Sequence, residues 1–160
     1  MKMKITKRQC FWSAAAVLYV LFIFSNSMKN ADLSSADSGA VLRLVQQVLA
    51  AGGVDGTIIT EHVIRKTAHF TIYMCLGFWA SCTLGRRKLM SVKTAAALGF
   101  CFLYACTDEL HQYFVPGRAC RFKDVMIDTA GAFTGIVCSM IAIAVVSFAV
   151  KKLTAKRKDT

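Results

Sequence analysis

The stretch DVMIDTAGAFTGIVCSMIAIAVVSFAV, Asp124–Val150, decides the fold. After Asp124 it holds one charged side chain, Asp128, and no proline. A helix needs about 20 residues to cross the hydrocarbon core of a bilayer, and this run exceeds that. Gly131 and Gly135 inside it form GxxxG, a surface that lets a second helix approach closely.

Three more apolar runs precede it: Cys10–Phe24, His69–Leu84 and Val92–Thr107. Each reaches spanning length only with its polar flanks, so its ends sit at the interface or inside a bundle. Of the 160 residues, 56% are hydrophobic and 18% charged, with one proline and ten glycines. Such a composition excludes disorder and leaves too little turn punctuation for a sandwich or barrel. It also argues against a soluble enzyme. The expected fold is an all-α integral membrane protein in one domain, 1–160. Four transmembrane helices are expected at about 10–27, 61–84, 92–113 and 124–150, plus one short amphipathic helix on the outer surface.

The seven cysteines do not form a disulfide framework. Cys75, Cys82, Cys101, Cys106 and Cys138 fall within apolar runs, where cysteine acts as a small hydrophobe. Cys10 sits at a span edge and Cys120 in a loop, and no CxxC spacing occurs.

The net charge of +11 is clustered. Lys2, Lys4, Lys7 and Arg8 precede the first run. Arg86, Arg87, Lys88 and Lys93 separate the second and third; Lys151, Lys152, Lys156, Arg157 and Lys158 follow the fourth. Bases that abut apolar runs obey the positive-inside rule and make no groove for nucleic acid. They place both termini in the cytoplasm of a multi-pass protein of the cell membrane. The opposite side then carries seven bases and eight acids, the cytoplasmic side thirteen bases and one acid. Span one has a second reading as a cleaved signal peptide, with Ser25 and Ser27 as small residues near the cleavage position.

Between spans one and two, Val41, Leu42, Leu44, Val45, Val48 and Leu49 recur at helical spacing opposite Arg43, Gln46 and Gln47. This predicts an amphipathic helix over 40–51, capped by Asp37 or Ser38. It would lie on the outer surface or over the mouth of the bundle. Gly52, Gly53 and Asp55-Gly56 end it, and Thr60 caps the next helix.

Ionisable side chains at membrane depth cost about 2.5–3.5 kcal/mol each on insertion scales, so they face the bundle interior and pair. Here they gather at three helix ends. Glu61, Arg65 and His69 are spaced i, i+4, i+8, with Tyr73 following and Lys66 adjacent. Tyr104, Asp108, His111 and Gln112 share a face, with Glu109 beside it. Arg118, Arg121 and Lys123 come after the Pro116-Gly117 turn, then Asp124 as a helix cap and Asp128 one turn deeper. Asp128 requires a partner, with Arg65 and Arg118 as candidates. Folding brings the three ends into one outward-facing polar pocket. Arginine forks match phosphate geometry, and histidine with aspartate performs acid–base or nucleophilic work.

These residues also resemble a known family. RKTAHFTIY at Arg65–Tyr73 with Leu76-Gly77 resembles the first signature of the VanZ-like membrane proteins. YACTDELHQ at Tyr104–Gln112 with Phe114–Arg118 resembles the second, and Asp124–Gly131 through Gly135 the third. Two positions depart from the family pattern. Ile72 stands where an acid is frequent, and Ser25-Asn26-Ser27 shifts or lacks a glutamine that often follows span one. The resemblance implies an association with resistance to the glycopeptide teicoplanin, and kinship with membrane enzymes acting on lipid head groups at phosphoester bonds.

The expected function is binding or processing of a phosphorylated cell-envelope lipid head group, as a phosphoester hydrolase or transferase. Catalysis falls to His69 or His111 as base or nucleophile, with Asp108 or Asp128 orienting the imidazole. Substrate binding falls to Arg65, Lys66, Tyr73, Glu109, Gln112, Arg118 and Asp124. The expected partners are membrane lipids and, in a second reading, a glycopeptide. That second reading is a non-catalytic protein altering glycopeptide or lipid interactions at the surface; a third is a purely structural polar network. No cofactor is expected. The one metal set weighed, His69 with His111 and Asp108, has no compact ligand motif. The topology predicts that an impermeant thiol reagent labels Cys120 on intact cells. A cysteine placed at Lys88 stays unlabelled until the cells are opened, and labelling there in intact cells contradicts the orientation.

Overall fold

The computed structural model describes residues 6–84 and 89–156. Lys2, Lys4, Arg86, Arg87, Lys88, Arg157 and Lys158 of the basic clusters lie outside the described residues. Five α-helices and one short 3₁₀ turn make up the described chain: α1 Lys7–Ser27, α2 Ala31–Ala51, the turn Gly56–Ile58, α3 Glu61–Leu84, α4 Val92–Tyr113 and α5 Phe122–Lys156.

Local chemistry accounts for most boundaries. Thr6 caps α1 through a reciprocal capping box with Gln9. Ser91 caps α4, and the Thr60 hydroxyl accepts from the Val63 amide at the start of α3. Gly53 and Gly117 carry positive φ in the turns after α2 and α4. Two expected caps are corrected. Asn30, not Asp37 or Ser38, caps α2, so this helix begins about a turn after α1 ends and takes Asp37 and Ser38 into its body. Asp124 lies inside the first turn of α5, which starts at Phe122.

α3 is the central helix, packed most extensively on α5 and also against α1, α2 and α4. Glycines make the α3–α5 contact. A Cβ at Gly131 would run into the backbone carbonyl of Phe70, one at Gly135 into that of Met74, and one at Gly77 into that of Ala132. The two backbones therefore touch, the close approach that small residues permit between helices. Tyr73, Leu76, Cys101, Ala105, Ala132 and Ile136 fill the core beside this seam. A hydroxyl pair, Ser81 with Ser139, ties α3 to α5 further along.

Two helices are long and apolar enough to cross a membrane, over Gln9–Ser27 and Phe122–Thr154. They carry exposed Phe11, Leu18, Leu21, Ile141, Val145 and Phe148. α3 and α4 have the expected bounds, but each puts charged residues into one end, which lowers its apolar length.

The glycine seam predicts that Gly131→Ala and Gly135→Ala each cost about 1–3 kcal/mol or more, because backbone must move to admit a methyl group. Gly99→Ala, whose added Cβ meets nothing within 4 Å, should leave stability unchanged. Thermal unfolding of the detergent-solubilised protein checks this, and equal midpoints for all three variants would contradict the seam.

Candidate functional site

The N-terminal ends of α3 and α5, the C-terminal ends of α1 and α4, and helix α2 enclose two cavities of about 140 Å³ each. Arg65, His69, Gln112 and Arg118 line both. The first continues to Tyr73 and Asp108, and is covered by Ser34, Asp37 and Ser38 of α2. The second is bounded by His62, Lys66, Arg121 and Asp124.

Several residues at this end are held by identifiable contacts. His69 Nδ1 stands 3.3 Å from Asp128 Oδ1, with the His69 side chain 18% exposed and Asp128 fully buried. Asp128 therefore meets His69 on α3, not Arg65 or Arg118. Arg65 instead reaches Glu61 at 3.7 Å along its own helix. Arg118 donates from Nη2 to Ser34 Oγ at 2.7 Å. Lys66 pairs closely with Asp124. Asp108 is buried and accepts from Gln112 Nε2 at 3.2 Å.

Glu109 is buried between α4 and the loop before α5. Its Oε2 accepts the Arg121 amide at 2.9 Å, while Oε1 has no hydrogen-bond partner. The Tyr73 hydroxyl also lacks one, and its ring lies 6.3 Å from that of Tyr104. His69, Glu109 and Asp128 each offer one ligand atom, all within 4.8 Å of one another.

Eight of the eleven expected site residues line the cavities, and Glu109 and Asp128 are buried beside His69. His111 lies at the same end but turns to α1. Its Nδ1 meets Ser27 Oγ at 3.2 Å and its ring lies tilted against that of Phe24, centroids 5.1 Å apart, so it ties α4 to α1 and lines neither cavity. The metal set of His69, His111 and Asp108 does not form for the same reason.

Several wall residues were not expected. Ser34, Asp37 and Ser38 sit at i, i+3, i+4 on α2, a polar face turned toward the cavity. Lys29 pairs with Asp37 at 2.7 Å across the α1–α2 corner. Asn26 also lines the first cavity, so an amide is present there although Ser25-Asn26-Ser27 departs from the family pattern. Spacing alone could have revealed the α2 trio had the helix been started at Asn30.

The charge balance is uneven. Lys66 is neutralised by Asp124, whereas Arg118 pairs with no carboxylate among the described residues. Burial holds the Arg118 guanidinium below the usual arginine pKa, yet a guanidinium stays charged at any working pH. It keeps further donors for an anion in the cavity.

The family model described as VanZ/LLP1 matches residues 11–144. The chain belongs to the VanZ-like family. The match runs from α1 well into α5 and includes every residue of both cavities. With the two apolar helices, it marks a membrane protein. No curated protein and no solved structure matches the chain.

Proposed function

We propose that this VanZ-like protein crosses the membrane four times with both termini cytoplasmic, and that its paired cavities receive the phosphorylated head group of an envelope lipid from the outer leaflet. The observation that carries this is Arg118, a half-buried guanidinium that pairs with no carboxylate among the described residues. Ser34 aims it into a wall shared with Arg65 and His69. Two arginines facing one cavity form a fork suited to phosphate oxygens.

The chemistry follows from the neighbours. Arg65 and Arg118 hold the phosphate, while Lys66 and Asp124 balance each other at the rim. His69 serves as base or nucleophile, and Asp128 orients its imidazole. Asp108, steadied by Gln112, faces the same space. The Tyr73 hydroxyl, beside Asp108 in the first cavity, donates to a bound oxygen. A phosphoester hydrolase or head-group transferase fits this set. Altered head groups would also change the surface that a glycopeptide meets, which connects the proposal to the resistance association of the family.

Lipid mass spectrometry of cells with and without the protein tests the proposal. One head-group class should change when wild-type protein is present and stay unchanged with His69→Gln at equal membrane abundance. Arg118→Lys keeps the charge but loses the fork and should slow conversion about tenfold, the worth of one charge-assisted hydrogen bond. Unchanged lipids combined with altered glycopeptide binding would replace the enzyme with a non-catalytic surface protein.

A further inference from the structure

The junction of α3, α4 and α5 contains more negative charge than its partners balance. Glu109 is 1% exposed and Asp128 0%. Glu109 Oε1 and Asp128 Oδ2 have no partner, and Asp128 Oδ1 faces only His69 Nδ1 at 3.3 Å. An ionised carboxylate buried without compensation costs several kcal/mol, so native interiors pair such groups or give them to a metal. Apart from His69, which faces Asp128, the nearby bases are committed elsewhere: Lys66 to Asp124, Arg65 toward Glu61 and Arg118 to Ser34.

We propose that His69, Glu109 and Asp128 bind one divalent cation, of the kind that accepts nitrogen together with oxygen, Mn²⁺ or Zn²⁺. The three donors come from three helices, with ligand atoms within 4.8 Å of one another. A cation about 2.0–2.2 Å from each donor would draw these side chains slightly inward. Two carboxylates cancel its charge, and a neutral imidazole completes the set. One imidazole makes Ca²⁺ and Mg²⁺, which prefer all-oxygen shells, poorer occupants.

The surroundings match those of a functional ion. The Arg121 amide holds Glu109 Oε2 at 2.9 Å and so fixes the orientation of that carboxylate, as outer partners commonly do for metal ligands. His69 lines both cavities, so the ion would lie at their floor with remaining positions open toward them. An open position takes water or an anionic oxygen. The site stands on the two buried carboxylates clustered with His69 and does not require the head-group proposal.

The test uses the full chain, purified in nanodiscs, stripped with chelator and titrated with Mn²⁺ alone. One equivalent should bind per chain and raise the thermal midpoint. Pulsed electron paramagnetic resonance of the bound Mn²⁺ should show coupling to one imidazole nitrogen. Glu109→Gln and Asp128→Asn, nearly isosteric, should weaken binding at least 100-fold, and His69→Gln at least tenfold. His111→Gln should bind as the wild type does. Without ion, Asp128→Asn should be at least as stable as the stripped wild type, since it removes a fully buried charge while keeping an amide oxygen to face His69. Stoichiometry well below one would overturn the proposal, as would unchanged affinity in both carboxylate variants. Absence of nitrogen coupling in the wild type would overturn it even if a variant failed to fold. Because no lipid enters the assay, failure here leaves the head-group proposal standing, and failure of that proposal leaves the cation site standing.

Discussion

Backbone contact between α3 and α5 is the constraint on which the rest of the structure depends. Gly131, Gly135 and Gly77 let the helices meet with no side chain between them. Gly131 faces Phe70, the residue after His69, and Asp128 lies one turn before Gly131. The seam thereby sets His69 against Asp128 at 3.3 Å. Larger residues in the seam would part the helices and separate the pair. Dispersion and close fit hold such helices together where the surroundings are as apolar as the side chains.

Polarity follows from that placement. One end of the bundle collects the start of α3, the end of α4 and the start of α5, and α2 turns serines and an aspartate inward over them. The α4–α5 loop is tied to α2 by Arg118 to Ser34 and by the Ala31 amide to the Pro116 carbonyl at 3.4 Å. Gly117 belongs to the same corner, since a Cβ there would meet the Ala31 methyl at 2.8 Å. Leu33, Val41, Leu44 and Val48 of α2 stay exposed. The first half of this helix turns Ser34 and Ser38 inward, its second half turns Leu42, Val45 and Leu49 inward, and the exposed apolar side chains between them suit an interfacial position.

Much of this was legible in the sequence. The bounds of α3 and α4 coincide with the expected ones because Thr60, Ser91 and Pro116-Gly117 punctuate them chemically. The GxxxG pair does what its spacing indicates. The start of α2 was hidden because residues 31–40 show no apolar period; their inward face is the polar one of half-buried Ser34 and buried Ser38. His111 was misplaced because the end of α4 is polar on several sides, and only its neighbours decide which side faces what. α1 takes His111 through Ser27, while the α5 side takes Glu109 through Arg121. Arg65 and Arg118 were the expected partners of Asp128 by charge, but the seam decides which side chain stands within reach.

The central claim is that His69, on the cavity wall, and the buried Asp128 behind it, on different helices, form one contact. Solid-state magnetic resonance in bilayers measures it directly, with ¹⁵N-histidine and ¹³C-aspartate in a His62→Gln, His111→Gln background. The 3.3 Å contact predicts strong dipolar dephasing of the His69 Nδ1 signal by an aspartate carboxyl carbon, lost when Asp128→Asn removes that label. Absence of dephasing, or dephasing that persists in the Asp128→Asn protein, would contradict the account.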